Sequence, residues 1–359
     1  MAITEEAVIK AMSTVQEPEL GGDLVSRKMV RDIKINGTEV NFTIMLTTPA
    51  CPLKGQMERE SNEALRKHIP EFTKLNIKWD ADVSVGRRGA STQPLLPGVK
   101  NIIAVSSGKG GVGKSTVSVN VAVALAQEGA KVGLLDADVY GPNIPIMMGS
   151  MEKPRMISED RIAPLEAHGV KIMSIGNLVP PGTSMTWRGP MVHGAIQQLM
   201  RDCEWGELDY FFVDMPPGTG DAQLTMTQSV QLSGAIIVTT PQNVAFGDAM
   251  RGLAMFQQMN VPILGLIENM SFFVCPHCGM HTDIFDHGHA AEEAKRRNIQ
   301  FLGEIPLDTA VRVGGDTGVP IVVSAPDSPV GEAFKKAARN VAARVSVLAN
   351  RKLPTIKIS

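Results

Sequence analysis

"AVSSGKGGVGKSTVSVNVAVALAQEG", Ala104 to Gly129, decides the fold. An apolar run ends in clustered glycines, and a long helical pattern of small and β-branched residues follows. Gly108 to Ser115 fits G-x-x-x-x-G-K-[ST], a strand–loop–helix pattern whose glycines let backbone N–H groups converge on phosphate oxygens. The loop expected to hold a nucleotide is Gly108, Lys109, Gly110, Gly111, Val112, Gly113, Lys114, Ser115 and Thr116. A helix starting near Lys114 adds the positive end of its dipole. Lys114 should reach the β- and γ-phosphates, and Ser115 should ligate Mg²⁺.

Working outward, the texture after residue 100 stays the same. "NIIAVSS", "KVGLLDA", "DYFFVDM", "GAIIVTT" and "PILGLIE" are near-continuous apolar runs with helical patterns between them. Such runs mark strands buried on both faces. The expectation is an α/β fold with a doubly wound, mostly parallel sheet and its function at the strand C-termini. "GRRGASTQPLLPGVK", Gly86 to Lys100, is rich in glycine, proline and small polar residues and reads as a linker. The domains expected are therefore 1–88, a linker at 89–99, and 100–359. The first reads α-β-β-α-β, with Asn36-Gly37 as the hairpin turn, which makes a small α+β domain. In the last helical pattern Val330, Phe334, Ala337, Val341, Val345 and Leu348 form one stripe. The stripe reads as core packing rather than as a membrane-seeking tail.

Composition excludes several classes. Of 359 residues, 43% are hydrophobic and 20% charged, and the net charge is −2. Residues 1–88 carry 13 basic and 13 acidic side chains, so neither sign offers a lure. No basic footprint for nucleic acid and no polybasic membrane patch is visible. No signal peptide and no apolar run of membrane length is seen, so neither nucleic-acid binding nor stable membrane association is expected. Four scattered cysteines suit a reducing cytoplasm better than a secreted disulfide framework.

With Lys109 as a second lysine, "KGGVGKST" resembles the deviant phosphate loop of the ParA/MinD and nitrogenase-iron-protein class. In that class the early lysine reaches the nucleotide of the facing subunit, which implies a homodimer with ATP near the interface and a catalytic role for Lys109 beside Lys114. By the same resemblance Asp138 lies in a first switch segment and helps orient the attacking water, while Asp136 lies nearer the metal. Asp214, ending "FFVD", would hold Mg²⁺ through water. "PPGTGD" after it would be a second switch, with Asp221 following the γ-phosphate. Asn269 in "GLIENMS" has a carboxamide able to pair with adenine, and "GEIPLD", with Pro306 and Asp308, resembles the loop lining the other side of the base.

"DADVYGPN", "WRGPM", "DMPPGTGDAQL", "ENMSFFVCPHCG" and "GEIPLD" together resemble the Mrp/ApbC family of ATP-dependent iron–sulfur cluster carriers over nearly the whole chain. "EPELGGDLV" and "TTPACPLKG" resemble a PaaD/SufT-type N-terminal domain. The resemblance implies a weak, regulatory ATPase that takes a cluster from an assembly scaffold and delivers it to apo iron–sulfur proteins. This chain departs from the family at three places. Glu17-Pro18-Glu19 stands for Asp-Pro-Glu, and Gly141-Pro142-Asn143 for Gly-Pro-Ser. Ile284-Phe285-Asp286-His287-Gly288-His289 stands for Ile-Phe-Gly-x-Gly-Gly, which stiffens that loop and adds metal donors.

Cys275 and Cys278 in "CPHCG" are a soft donor pair, suited to zinc or to an iron–sulfur cluster. Two chains about a two-fold axis supply the four thiolates of a 4Fe–4S cluster, and the family implies that bridging arrangement. The zinc reading needs one chain only, with two of His281, His287 and His289 completing a closed site. It belongs with the alternative function, a positioning ATPase of the ParA/MinD kind. Cys51 in "TPACPLKG" is either an accessory thiol for cluster transfer or a structural residue; Cys203 has no motif and reads as structural.

Overall fold

The computed structural model describes residues 3–18, 20–83, 95–179, 189–218, 220–275 and 277–350. Of the expected features, Glu19, most of the linker, Trp187-Arg188, Thr219 and Pro276 lie outside the described residues, as does the side chain of Asp221. The chain forms two compact units, Met1–Gly89 with Ala342–Ser359, and Ala90–Val341.

In the first unit, helix α1 (Glu5–Met12) is capped by Thr4 Oγ1, which accepts from the Ala7 N–H. Strands β1 (Val30–Asn36) and β2 (Glu39–Leu46) form the Asn36-Gly37 hairpin. Helix α2 (Lys54–His68) then crosses over to β3 (Lys74–Ala81), which pairs parallel with β2. Val8, Met12, Phe42, Ile44, Leu46, Met57 and Leu65 build a core between the helices and one sheet face. The Glu17 carboxylate is buried and accepts from the Leu20 N–H, while the Glu17 N–H donates to Gly22 O. Cys51 packs at the edge of this core, partly exposed.

The second unit opens with β4 (Val99–Ser107), one residue inside the expected linker. Helix α3 (Lys114–Gln127), β5 (Val132–Asp136) and the short α4 (Ile144–Met147) follow. Next come β6 (Met156–Ser158), β7 (Arg161–Ile162), β8 (Leu165–Ala167), β9 (Val170–Ser174) and α5 (Gly189–Asp202). Then β10 (Leu208–Asp214), α6 (Asp221–Ser229), β11 (Gly234–Thr239), α7 (Asn243–Gln258) and β12 (Ile263–Val274) alternate. The chain finishes with β13 (His281–Thr282), α8 (His289–Arg296), β14 (Phe301–Leu307), α9 (Thr309–Thr317), α10 (Ile321–Ser324) and α11 (Pro329–Ala349). In the main sheet the order is β13-β12-β11-β4-β10-β5-β9-β8, with β14 also paired to β12. From β12 to β9 every pairing is parallel, and only β8 and β13 run against their neighbours.

Burial explains why these sequences are strands. Every residue of β5 and of β11 is buried, as helices cover both faces of a doubly wound sheet. Helix α3 is buried nearly all round, so its residues are small or β-branched rather than amphipathic. The β4 strand lies between β10 and β11, where the crossovers leave in opposite directions, and the crevice opens at its C-terminal end. Along α11, Val330, Phe334, Ala337, Val341 and Val345 are buried and Leu348 is partly exposed, so all of the stripe but its last residue is core. Ser328 Oγ caps that helix by accepting from the Gly331 N–H.

Candidate functional site

The crevice is a cavity of about 510 Å³ lined by Lys109, Gly110, Gly111, Gly113 to Thr116, Asp138, Asn269, Pro306 and Asp308 among others. That volume suits a nucleotide-sized ligand. Val112 is buried behind the loop. At Gly113 the backbone has φ +79°, and a Cβ there would lie 2.1 Å from Asn269 Nδ2, so only glycine fits. At Gly108 the reason is different: a Cβ would lie 2.0 Å from the backbone carbon of Asp248.

At the head of α3, Lys114 is almost fully buried, with its Nζ 2.6 Å from Asp214 Oδ2. Ser115 Oγ donates to the same oxygen at 2.6 Å, and Ser118 Oγ donates to Oδ1 at 2.6 Å. Ser118 stands four residues after Lys114, one helical turn along the same face, a signal the motif pattern does not contain. Asp136 and Asp214 occupy paired register positions on adjacent strands. Burial, followed by the charge of Asp214, pushes the Asp136 carboxyl up to about 7, against the pull of Lys114. Its oxygens accept from the Asp138 and Ile144 N–H groups and from Ser174 Oγ. Asp136 thus ties the following loop to the sheet, whereas Asp214 is the carboxylate that touches the phosphate-loop hydroxyl. Burial also raises Asp138, which lines the cavity.

Lys109 lines the cavity mouth and has no ion pair among the described residues. The loop after β10 is held by the Gly218 N–H, which donates to Ser107 O at 3.0 Å, and by buried Gln223, which donates to Pro216 O. Asn269 Nδ2 donates to Val112 O at 2.9 Å, joining β12 to the phosphate loop. Asp308 caps α9, accepting from the Ala310 N–H at 2.7 Å, and so fixes the wall that also carries Pro306.

Five residues beyond Asn269 the same strand ends at Val274, and the Cys275–Gly279 turn follows. The Cys275 N–H donates to Met280 O at 3.0 Å and the Gly279 N–H to Cys275 O at 2.8 Å. The backbone N–H groups of His277 and Cys278 point at the Cys275 sulfur and hold its thiol below the ordinary range. Cys278 is exposed and Cys275 partly so. Val274 and Met280, which flank the turn in the chain, are exposed, as is Ile284.

Among the described residues the histidines do not complete a closed zinc site with these thiols. Among the described residues, the group with metal-sized spacing is Glu268, His287 and Glu304, without a cysteine. His281 pairs with Asp283 at 3.4 Å, and His289 Nε2 lies 2.8 Å from Asp286 Oδ2. Asp286 sits at φ +75°, where the family pattern has glycine, and its carboxylate also accepts from the His287 N–H. Cys203 is buried, and desolvation pushes its thiol up to about 12.

The family described as NUBPL iron-transfer P-loop NTPases matches residues 98–342. This chain belongs to that family. Residues 5–79 match a second family, described as iron–sulfur cluster assembly protein. The "Iron-sulfur cluster carrier protein" of Deinococcus radiodurans is 49% identical over 350 residues, 97% of this chain and 98% of that one. The "Iron-sulfur cluster transfer protein NUBPL" of Dictyostelium discoideum is 48% identical over 311 residues, 86% of this chain and 95% of that one. Among solved structures, a nucleotide-binding protein of Archaeoglobus fulgidus in complex with ADP superposes with a TM-score of 0.57 at 39% identity, covering 66% of this chain and 92% of that one. The cell division ATPase MinD of Pyrococcus furiosus gives 0.52 at 25% identity, covering 67% and 98%. The parallel P-loop fold expected from Ala104 to Gly129 is therefore the fold of this NUBPL-type family.

Proposed function

We propose that this NUBPL-family chain is an iron–sulfur cluster carrier whose loading and release are coupled to ATP binding and slow hydrolysis. One observation carries the coupling. Strand β12 holds Asn269 against the phosphate loop and ends beside the Cys275–Cys278 turn, so one continuous strand touches both sites.

The donor set fits the cargo. Thiolates are soft ligands, and backbone N–H groups aimed at a sulfur stabilise its charged form before iron arrives. Two thiolates per chain make half a 4Fe–4S site, so a homodimer bridged by the cluster completes it. The phosphate loop fits ATP and Mg²⁺. Its backbone cradles the phosphates, Lys114 neutralises them, and Ser115 with Asp214 holds the ion. Lys109 reaches the partner's nucleotide, Asp138 orients the attacking water, and Asn269, Pro306 and Asp308 bound the base. ATP promotes transfer only through a difference in affinity between holding and releasing states. The recipients are apo iron–sulfur proteins, the donor is a cluster-assembly scaffold, and Cys51 is an accessory thiol on the first unit. The carrier acts in the cytoplasm; separately, no helix among the described residues is long and apolar enough to cross a membrane.

A positioning ATPase of the ParA/MinD kind shares the P-loop. It needs the Cys275–Cys278 pair for zinc, yet among the described residues no group with metal-sized spacing includes a cysteine, and it gives no task to residues 5–79; the relatives named above are carriers and transfer proteins.

Anaerobic reconstitution with iron and sulfide tests the proposal, read by absorbance and iron content. The expected result is one four-iron cluster per two chains. Cys275→Ala should abolish uptake and leave ATP binding intact. Wild-type protein that takes up no iron overturns the reading.

A further inference from the structure

Glu268 sits in the centre of β12 with no solvent exposure. Its described hydrogen-bond donors are all neutral. Ser271 Oγ and the Gly288 N–H donate to Oε1 at 2.6 and 3.2 Å, and the Ala290 N–H donates to Oε2 at 3.0 Å. No lysine or arginine pairs with it among the described residues. A buried carboxylate is costly, three neutral hydrogen bonds offset only part of that cost, and the one described cationic group within electrostatic reach, His289, is already bonded to Asp286.

The missing charge has a ready place. A carboxylate oxygen has two lone-pair sites, so Oε1 is saturated and Oε2 keeps one. His287 and Glu304 approach this carboxylate, and one ligand atom from each of the three residues lies within 4.8 Å of the others. His287 Nε2 is 3.1 Å from Glu304 Oε2. Donors bound at roughly 2.1 Å from one ion sit at most about 4.2 Å apart, so a small rotation closes the group. The two side chains that have to rotate are the half-exposed ones, at 37% and 44%. The Phe272 ring packs against the imidazoles of His281 and His287, with centroids 4.5 and 5.7 Å away, and walls the site on one side.

We propose that Glu268, His287 and Glu304 bind one divalent transition-metal ion, separate from the Cys275–Cys278 pair. Two carboxylates and one imidazole suit zinc, iron(II) or manganese better than calcium or magnesium, which prefer all-oxygen sets. The ion neutralises the buried charge and ties the loop between β13 and α8 to strands β12 and β14. The short strand β13 joins that loop to the cysteine turn, so the ion holds the segment that leads away from the turn.

The test uses full-length Cys275→Ser/Cys278→Ser protein, so that thiolates cannot contribute. Zn²⁺ is titrated in competition with a chromophoric chelator, and retained metal is counted after gel filtration. One zinc per chain is expected, held at least tenfold more weakly after His287→Gln and after Glu304→Gln. Both positions are half-exposed, so the fold should persist, and circular dichroism checks this. No retained zinc overturns the proposal, and so does zinc whose affinity neither substitution changes. The cluster reading stands or falls separately, because its test measures iron and sulfide uptake by the wild-type thiolates.

Discussion

Lys114 Nζ lies 2.6 Å from Asp214 Oδ2, with 7% and 0% of the two side chains exposed. The same carboxylate also accepts from Ser115 and Ser118. The phosphate-loop lysine and the acid at the end of β10 are therefore one electrostatic unit, and removing either partner strands the other. Under the proposed function, Lys114 and Ser115 would exchange this carboxylate for the nucleotide and its ion.

Breaking one side of a buried pair costs about 3–5 kcal/mol. Lys114→Met and Asp214→Asn should each lower the unfolding free energy by about 3 kcal/mol, while the double variant loses less than the sum by at least ~1 kcal/mol. Urea denaturation followed by circular dichroism measures the cycle. Strictly additive losses would show that the two groups are not coupled.

Asp136 makes stability depend on pH. Its folded pKa, about 7, lies above the ordinary 3.8, chiefly through burial and then through Asp214. The folded form therefore holds a proton that the unfolded chain has released. This contribution is fully present below about pH 4 and is lost as pH rises through 7. The slope is at most about 1.4 kcal/mol per pH unit. Asp136→Asn should flatten the fall in unfolding free energy between mildly acidic and mildly alkaline buffer. An unchanged slope would assign the pH dependence to other groups.

The thiols should separate by reactivity. Cys275 is held low by the His277 and Cys278 N–H groups, whereas burial pushes Cys203 up to about 12. The thiolate is the reacting species. Iodoacetamide at neutral pH should modify Cys275 at least tenfold faster than Cys203, with Cys203 reacting only in denaturant. Peptide mass spectrometry reads both rates, and equal labelling in the folded protein would contradict the assignment.

Two loop glycines should differ in what they tolerate. A Cβ on Gly108 meets the backbone of Asp248 at 2.0 Å, while one on Gly110 meets no atom within 4 Å. Gly108→Ala should cost more than about 2 kcal/mol, and Gly110→Ala less than about 0.5 kcal/mol. Thermal melting compares them, and similar melting temperatures would mean that the loop yields where the packing says it cannot.

Ala104 to Gly129 was legible because its pattern is local. A buried parallel strand needs unbroken apolar residues, a phosphate cradle needs glycines, and both requirements sit within one stretch of chain. The hairpin at Asn36-Gly37 and the core stripe of α11 were legible for the same reason. Ser118 and Gln223 were not, because a serine or glutamine inside a helix carries no mark of the carboxylate or carbonyl it meets in the folded chain. Nor could spacing separate Asp136, which anchors a loop, from Asp214, which touches Ser115; both simply end an apolar run.

The histidines after the cysteines draw the same line. By itself the sequence determined the P-loop fold, the family and the thiolate pair, since each rests on residues close together along the chain. Only the tertiary structure decided where His287 turns. It faces Glu268 and Glu304, brought in by β12 and β14, rather than completing a closed site with Cys275 and Cys278. Side-chain direction at the end of a loop is set by the strands it packs against, and parallel strands bring together residues that lie far apart in the chain.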